Sequence, residues 1–543
     1  MEDDQFKKWW LILLASTILV YIIGLFVPVM DVDAAQYASI SRDMYLNHNY
    51  LELFCNHQNY LDKPPLLFWL SAISFNIFGV HTWSYKLPSL VFTLIGIYAT
   101  YKLAEHLYNK QIARYASLIL ATCQAFFLFN TDVRTDTILT ACIIVSTWQL
   151  YSYIENKKWL NAFIGFTFVA LGMLAKGPLG LCVPALALGS QLAYQRRWNV
   201  FLWPVWWIGL IYSLLLLTPM VYGLHAQYGW KGPRFFFWDQ SFGRLTGTNE
   251  WHNDAGYFFF VHNFMWAFLP WTLFALLSLW DRLVLLIKTK FQYTNSIELL
   301  TYSGFILTFI ALSFSHYKLP HYIFNLFPLV AIFTAANFSD LLFRYKWLAI
   351  AQKIVLLLAL FVLFFLIINL LPLSNIFIWS GIILLIGIGF YFLLQKTLSR
   401  STSLLLSSAA CIVAINLGMN AHFYPTILTY QSGSNIGLYI KNHDIPVQHV
   451  YDYNFSSYSE NFYAGNVIDA LPADSLNEWK TSHQKRYIGG DSALLKLLAT
   501  LHIPYAVIYQ SPDYSVTLLT YKFLSPKTRQ SAIEKMFFVE LNK

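Results

Sequence analysis

The stretch Met30–Pro65 reads M-D-V-D-A-A-Q-Y-A-S-I-S-R-D-M-Y-L-N-H-N-Y-L-E-L-F-C-N-H-Q-N-Y-L-D-K-P-P. It follows the first long apolar run, Trp9–Val29, and precedes a chain that is mostly apolar. Two acids, Asp31 and Asp33, stand at the mouth of that run, and Asp62-Lys63-Pro64-Pro65 closes the stretch. Acids and bases held at a lipid boundary cost free energy and by default mark a functional site.

Composition sets the class around this stretch. The 543 residues are 57% hydrophobic, 18% aromatic and 12% charged, against about 25% charged in soluble domains. This is the composition of a polytopic membrane protein. The net charge of +8 sits in short Lys/Arg clusters between apolar runs, as in cytoplasmic loops, which speaks against nucleic acid as a partner. The five cysteines show neither a disulfide framework nor metal-ligand spacing.

A helix needs about 20 apolar residues to cross the bilayer. Trp9–Val29 is the first such span and is retained, with Lys7 and Lys8 inside and 30–86 outside. Asp33–Asn47 puts Tyr37, Ile40, Met44 and Tyr45 on one side of a helix, as expected for one lying on the membrane surface. Pro64–Val80 is apolar but short. If it spans, the basic loops at 102–114, 157–158 and 196–197 move outside; if it lies in the interface, they stay inside, and the positive-inside rule selects that reading. Further spans are expected at 87–107, 114–130, 136–155, 159–175, 178–195, 199–222, 257–280, 296–315, 320–340, 346–371, 375–395 and 402–421, about 13 in all by the length rule. An odd number leaves the C-terminus outside. The expected architecture is an all-α polytopic membrane domain, 1–425, with periplasmic interfacial helices, followed by a small α/β periplasmic domain, 426–543. In the latter, Val447–Tyr453, Tyr505–Tyr509 and Met536–Leu541 read as strands, and Ser434–Lys441 and Ala493–Leu501 as helices.

This topology gathers Asp31, Asp33, Asp62, Lys63, Asp132, Arg134, Asp136, Lys176, Arg244, Lys318 and Tyr322 into one aqueous layer. An acid that takes a proton, among bases that hold an anionic leaving group, suits group transfer from a phosphate. Each piece also has a plainer account. Asp31 and Asp33 either cap the surface helix or serve chemistry. Lys63 either snorkels or binds an anion. Arg134 with Asp132 and Asp136 is either a local ion-pair cluster or part of a site, and three charges in so short a turn favour the site. Lys176, before Gly177-Pro178, runs against the charge bias of the outer face. Arg244 lies in a long aromatic loop.

The motifs together resemble a known family. Asp33-x-x-x-Tyr37-Ala-x-Ile40-Ser-Arg42-Asp-Met44, Asp62-Lys63-Pro64-Pro65, Thr135-Asp136-Thr-Ile-Leu, Leu174-Ala-Lys176-Gly177-Pro178 and Tyr317-Lys318-Leu319-Pro320-x-Tyr322 resemble, in order, elements of the C-type polyprenyl-phosphate-dependent membrane glycosyltransferases. The branch is that of the lipid A aminoarabinose transferases and protein O-mannosyltransferases. Ala34 replaces the family's usual Glu after the first Asp, and Gln36 stands where Arg often precedes the Tyr; Asp31 is a candidate substitute carboxylate.

The resemblance implies a bacterial inner-membrane enzyme with a cytoplasmic N-terminus. It would move one sugar from a polyprenyl-phosphate donor to a periplasmic acceptor, either lipid A or a related glycolipid, or Ser/Thr of secreted proteins. Asp33 would be the catalytic base, giving inversion. Lys63, Arg244 and Lys318 would hold the donor phosphate. Asp31, Tyr37, Asp62, Arg134, Asp136, Lys176 and Tyr322 would line the substrate cavity. No organic cofactor is implied; a divalent metal near Asp62 stays open. A lipid-linked sugar transporter or a non-catalytic polyprenyl-phosphate binder remain alternatives, although no repeat supports the former.

Overall fold

Apolar runs separated by basic loops fold as a bundle of helices, because only helices satisfy every backbone group within lipid. The computed structural model describes residues 2–541 apart from 244–245, 248–252, 254, 295–297, 473–474 and 480–483. Among the described residues eight helices are long and apolar enough to cross a membrane, and two more pairs pass across a bend. The straight ones include α1 (Glu2–Leu25), α4 (Thr82–Leu107), α7 (Thr135–Asn156) and α8 (Trp159–Lys176). The bent pairs are α5 (Lys110–Ala121) with α6 (Gln124–Thr131), at 53°, and Pro204–Leu216 with Thr218–Tyr228, at 48°.

The remaining expected spans are shorter or broken. α9 (Leu179–Tyr194) and Leu300–Ser313 are short apolar helices. The run expected at 257–280 divides into Phe259–Ala267 and Thr272–Lys288, because Pro270 offers no backbone donor to a continuing helix.

Hydrogen bonds and ion pairs sort the connections into two ends. At one end Arg114 pairs with Asp3 at 2.5 Å, Arg197 with Glu155 at 2.6 Å and Arg344 with Asp281 at 2.6 Å. Thr397 bonds Gln5 and Arg400 bonds the Lys346 carbonyl. The basic loops therefore share one end, as the charge pattern predicts. At the other end lie α2 (Asp33–Asn47), the hairpin β1 (Phe54–Cys55) and β2 (Gln58–Asn59), and α3 (Leu66–Phe78). The α3 helix begins beside Lys63, and its far end turns into α4, where Thr82 bonds Tyr463, which also receives Val29 N–H. Both ends of α3 thus stay at the level where α1 finishes, so 64–80 does not cross the bundle.

The structure corrects one expectation about α2. Its bounds are those read from the sequence, but it does not lie free on a surface. Tyr37, Ile40 and Met44 are buried as predicted, and so is Arg42 on another side. The helix is sandwiched between α3 and the C-terminal domain. No side chain caps its start, so neither Asp31 nor Asp33 has the capping role.

The last membrane helix run reaches Leu428. Beyond it the helix Ser432–Asn442 opens a domain with a five-stranded sheet. The strands are β3 (Val450–Tyr453), β4 (Asp469–Ala470), β5 (Arg486–Gly490), β6 (Tyr505–Asp513) and β7 (Glu534–Leu541). The order is β4-β3-β5-β7-β6, with β3 parallel to β4 and β5 and the other pairs antiparallel. The expected strands and helices are present; β4, β5 and the helix Tyr458–Ala464 are additional. The short β4 is exposed at the sheet edge, so it carries too little apolar alternation to be read.

Candidate active site

The site forms at the end of the bundle opposite the basic loops. Helix α2 starts at Asp33 and helix α7 at Thr135, which brings the residues just before α7 beside the first turn of α2. Arg134 joins them: its Nη1 donates to Asp33, while Nε and Nη2 donate to Asp132 at 3.1 and 2.8 Å. Burial opposes the arginine's charge, but Asp132 and Asp33 outweigh it and raise its pKa. The Asp33 side chain keeps 41% of its surface, so the carboxylate is oriented by arginine and still reachable.

A second charge set lies one turn deeper. Asp136, in the first turn of α7, is 1% exposed and accepts from Lys176 Nζ at 2.5 Å. His321 Nε2 stands 3.6 Å from its other oxygen. Lys176 also sits 3.8 Å above the Tyr322 ring, a cation–π contact of about 2 kcal/mol when desolvated. Arg134 therefore pairs with Asp33 and Asp132 and not with Asp136. The reason is local: Arg134 is extended before the helix starts, whereas Asp136 is helical and turns into the bundle.

The Lys-Gly-Pro turn has a structural cause. Gly177 ends α8 with φ +69°, a conformation glycine adopts freely, and α9 doubles back. A Cβ on Gly180 would overlap the backbone of Gly172 and Met173. That close helix approach fixes Lys176 against Asp136.

Tyr37, Asp62 and Lys63 complete the ring. Lys63 donates to Asp62 at 2.5 Å and is nearly buried. The Tyr37 phenol, raised in pKa first by burial, lies within the influence of Asp33, Arg134, Asp62 and Asp136. Lys176, Arg134 and Lys63 all lie within electrostatic range of His321, which stands beside Asp136. Three cations thus converge on one histidine at the edge of the bundle. Beside Lys63 opens a narrow apolar cleft, lined by Leu53, Leu61, Pro64, Met220, Leu224 and Phe236 among others. Gln240 donates to the Asp62 carbonyl at its rim.

Other expected members sit elsewhere. Asp31 faces the C-terminal domain: it accepts from Ser457 Oγ at 2.9 Å, Ser459 N at 3.0 Å and Ser459 Oγ at 2.6 Å. Burial raises its pKa against those hydrogen bonds. It is an anchor and does not replace the missing Glu beside Asp33. Lys318 is buried, with Nζ donating to the Ala255 and Gly256 carbonyls at 2.8 and 3.3 Å. Arg244 lies outside the described residues. Asp132 was read from sequence only as a neighbour of Arg134 and His321 only as a polar residue of the outer turn, neither with an assigned role, and the aromatic wall at 235–236 was not selected. The only sequence signal for His321 is its place inside the Lys-Leu-Pro-x-Tyr motif. Among the described residues no group of three His, Cys, Asp or Glu side chains has a metal-binding arrangement. Asp62 is held by Lys63.

Comparison with known proteins agrees with this geometry. A family model described as dolichyl-phosphate-mannose-protein mannosyltransferase matches residues 62–222. An undecaprenyl phosphate-alpha-4-amino-4-deoxy-L-arabinose arabinosyl transferase of Pseudomonas paraeruginosa is 25% identical over 278 residues, 49% of each chain. Its counterpart in Pseudomonas savastanoi pv. phaseolicola is 25% identical over 345 residues, 60% of each. The chain spans about half the length of the curated relatives it matches. The fold superposes on apo ArnT from Cupriavidus metallidurans with a TM-score of 0.73 over 98% of both chains at 16% identity. The match to ArnT bound to undecaprenyl phosphate has the same values. The chain therefore has the fold of ArnT, with apolar helices enough to cross a membrane several times. Its sequence matches fall in the aminoarabinose transferase branch.

Proposed function

We propose that this chain transfers one sugar from a polyprenyl-phosphate donor to an envelope glycolipid, lipid A or a relative, on the outer face of the inner membrane. The observation that carries the reading is the meeting of an arginine-oriented, accessible carboxylate, Asp33, with Lys63, Arg134 and Lys176 beside an apolar cleft. The cations suit a phosphate, and the cleft beside Lys63 suits the start of a prenyl chain. ArnT has been crystallised with undecaprenyl phosphate, which supports a lipid-phosphate donor here.

Asp33 accepts the proton of the acceptor hydroxyl as that oxygen attacks the anomeric carbon. The bond from that carbon to the phosphate oxygen breaks, the electron pair leaves with the lipid phosphate, and the configuration inverts. Lys63 holds the departing phosphate, and Lys176 and Arg134 stabilise the developing charge. Tyr37, Asp136 and Tyr322 shape the sugar pocket. The C-terminal domain and the 30–86 segment lie outside, and the basic loops inside.

The test is Asp33→Asn in membranes supplied with labelled polyprenyl-phosphate sugar. Transfer should fall by about 10²–10⁴-fold while the amount of folded protein is unchanged; undiminished transfer rejects the base. Mass spectrometry of lipids and secreted proteins from cells with and without the chain identifies the acceptor. The family match at 62–222 keeps protein O-mannosylation as the second reading, and a hexose lost from protein instead of from lipid decides for it.

A further inference from the structure

The segment 514–529 of the C-terminal domain serves no part of the site above, yet it is firmly built and apolar outward. The Tyr514 ring stacks on buried Phe523 at 3.9 Å, and Tyr430 meets the same ring edge-on at 5.0 Å. The Tyr514 hydroxyl donates to the Leu518 carbonyl at 2.8 Å and receives Thr520 N–H at 3.1 Å. This frame holds Leu518, Leu519 and Tyr521 outward, with Leu518 73% and Tyr521 78% exposed.

The level of the segment is set by Arg529. Its Nη2 donates to the carbonyl of Leu370 at 2.6 Å, the last residue of the span Trp347–Leu370. That helix and its neighbour Ile376–Leu394 are the least covered spans, with 28% and 22% of their apolar windows buried. Phe377 and Ile376 extend the bare apolar surface to the same edge. The outward leucines are therefore continuous with a lipid-facing wall. From 514 to 533 there is no acid, while Lys522 and Lys527 are exposed. Tyrosine beside exposed leucine matches the headgroup boundary of a membrane, and the lysines can reach lipid phosphates from there.

We propose that the 514–524 loop is an interfacial anchor that inserts Leu518, Leu519 and Tyr521 into the adjoining leaflet, with Lys522 and Lys527 on phospholipid phosphates. It ties the C-terminal domain to the bilayer, independently of the bundle contacts. A benzophenone amino acid is placed at position 521 of the full chain in vesicles of phosphatidylethanolamine and phosphatidylglycerol. Illumination should give phospholipid adducts as the main product. Adducts to a second copy or to another protein, or no adducts, overturn the proposal. In the same vesicles Leu518→Asp with Leu519→Asp leaves the Tyr514–Phe523 stack intact and should lower lipid adducts by about tenfold or more without changing the melting midpoint. Undiminished adducts in that variant also overturn it.

Discussion

Asp136 and Lys176 illustrate how a single pair is committed to position. Both are nearly buried, at 1% and 11% side-chain exposure, and each removes the other's uncompensated charge. Lys176→Met leaves a buried carboxylate near His321 and should destabilise the fold by about 3–5 kcal/mol. The double change Lys176→Met with Asp136→Leu should regain most of that stability, because no isolated charge remains. Transfer should stay low in both variants, since the cation is absent from the pocket. Thermal midpoints and transfer rates of the two variants check this; a rate restored together with stability contradicts a role for Lys176 beyond packing.

Helix α2 carries Asp33, and the C-terminal domain holds its start. Beyond the serine bonds to Asp31, Gln36 donates to Tyr458 at 3.0 Å, Ser39 donates to the Tyr458 carbonyl at 2.9 Å, and Arg42 donates to the Asn461 carbonyl. Ser457→Ala with Ser459→Ala strips Asp31 of its hydroxyl donors, at about 1–3 kcal/mol for a buried group left unsatisfied. Transfer should fall with it, while donor binding at Lys63 is kept; a rate measurement beside a donor-binding isotherm separates the two.

The same helix, Tyr458–Ala464, carries Glu460, fully buried with both carboxylate oxygens unpartnered among the described residues, close to Asp452 on β3. Burial first, then Asp452 and Asp31, pushes the Glu460 pKa well up. A raised acid folds readily in its neutral form. Its stability is complete below the ordinary Glu value of about 4.3 and is lost as pH rises towards the folded value. Glu460→Gln should therefore flatten the decline in melting midpoint between acid and neutral pH. An unchanged pH profile in that variant contradicts the neutral acid.

For the chain as a whole, two ends of one bundle must face two compartments. An impermeant thiol reagent added to intact inner-membrane spheroplasts should label a cysteine at the exposed Asn466 and spare one at Ser399, and disruption should expose the latter. Labelling of both, or the reverse pattern, rejects the sidedness. Much of this layout was legible beforehand. Apolar run length predicted the helices, and 64–80, which the charge bias kept from crossing, forms a short apolar helix that does not cross the bundle. The α2 bounds, Asp33–Asn47, and the strands near 450, 505 and 536 could be read because period and turn chemistry are local. Arg134 was read towards its neighbours in sequence, and Asp31 towards the cavity, because spacing along the chain says nothing about which helix arrives opposite.

The sequence by itself determined a membrane bundle with acids and bases collected at one end, since lipid imposes run length and the cost of burying charge on every stretch separately. Tertiary structure alone decided that Asp33 meets Arg134, that Lys176 meets Asp136, and that residues 457–461 grip the helix bearing Asp33. Those partners lie from 40 to more than 400 positions apart, and only the packing of helices and domain, such as the close approach at Gly172 and Gly180, sets who faces whom.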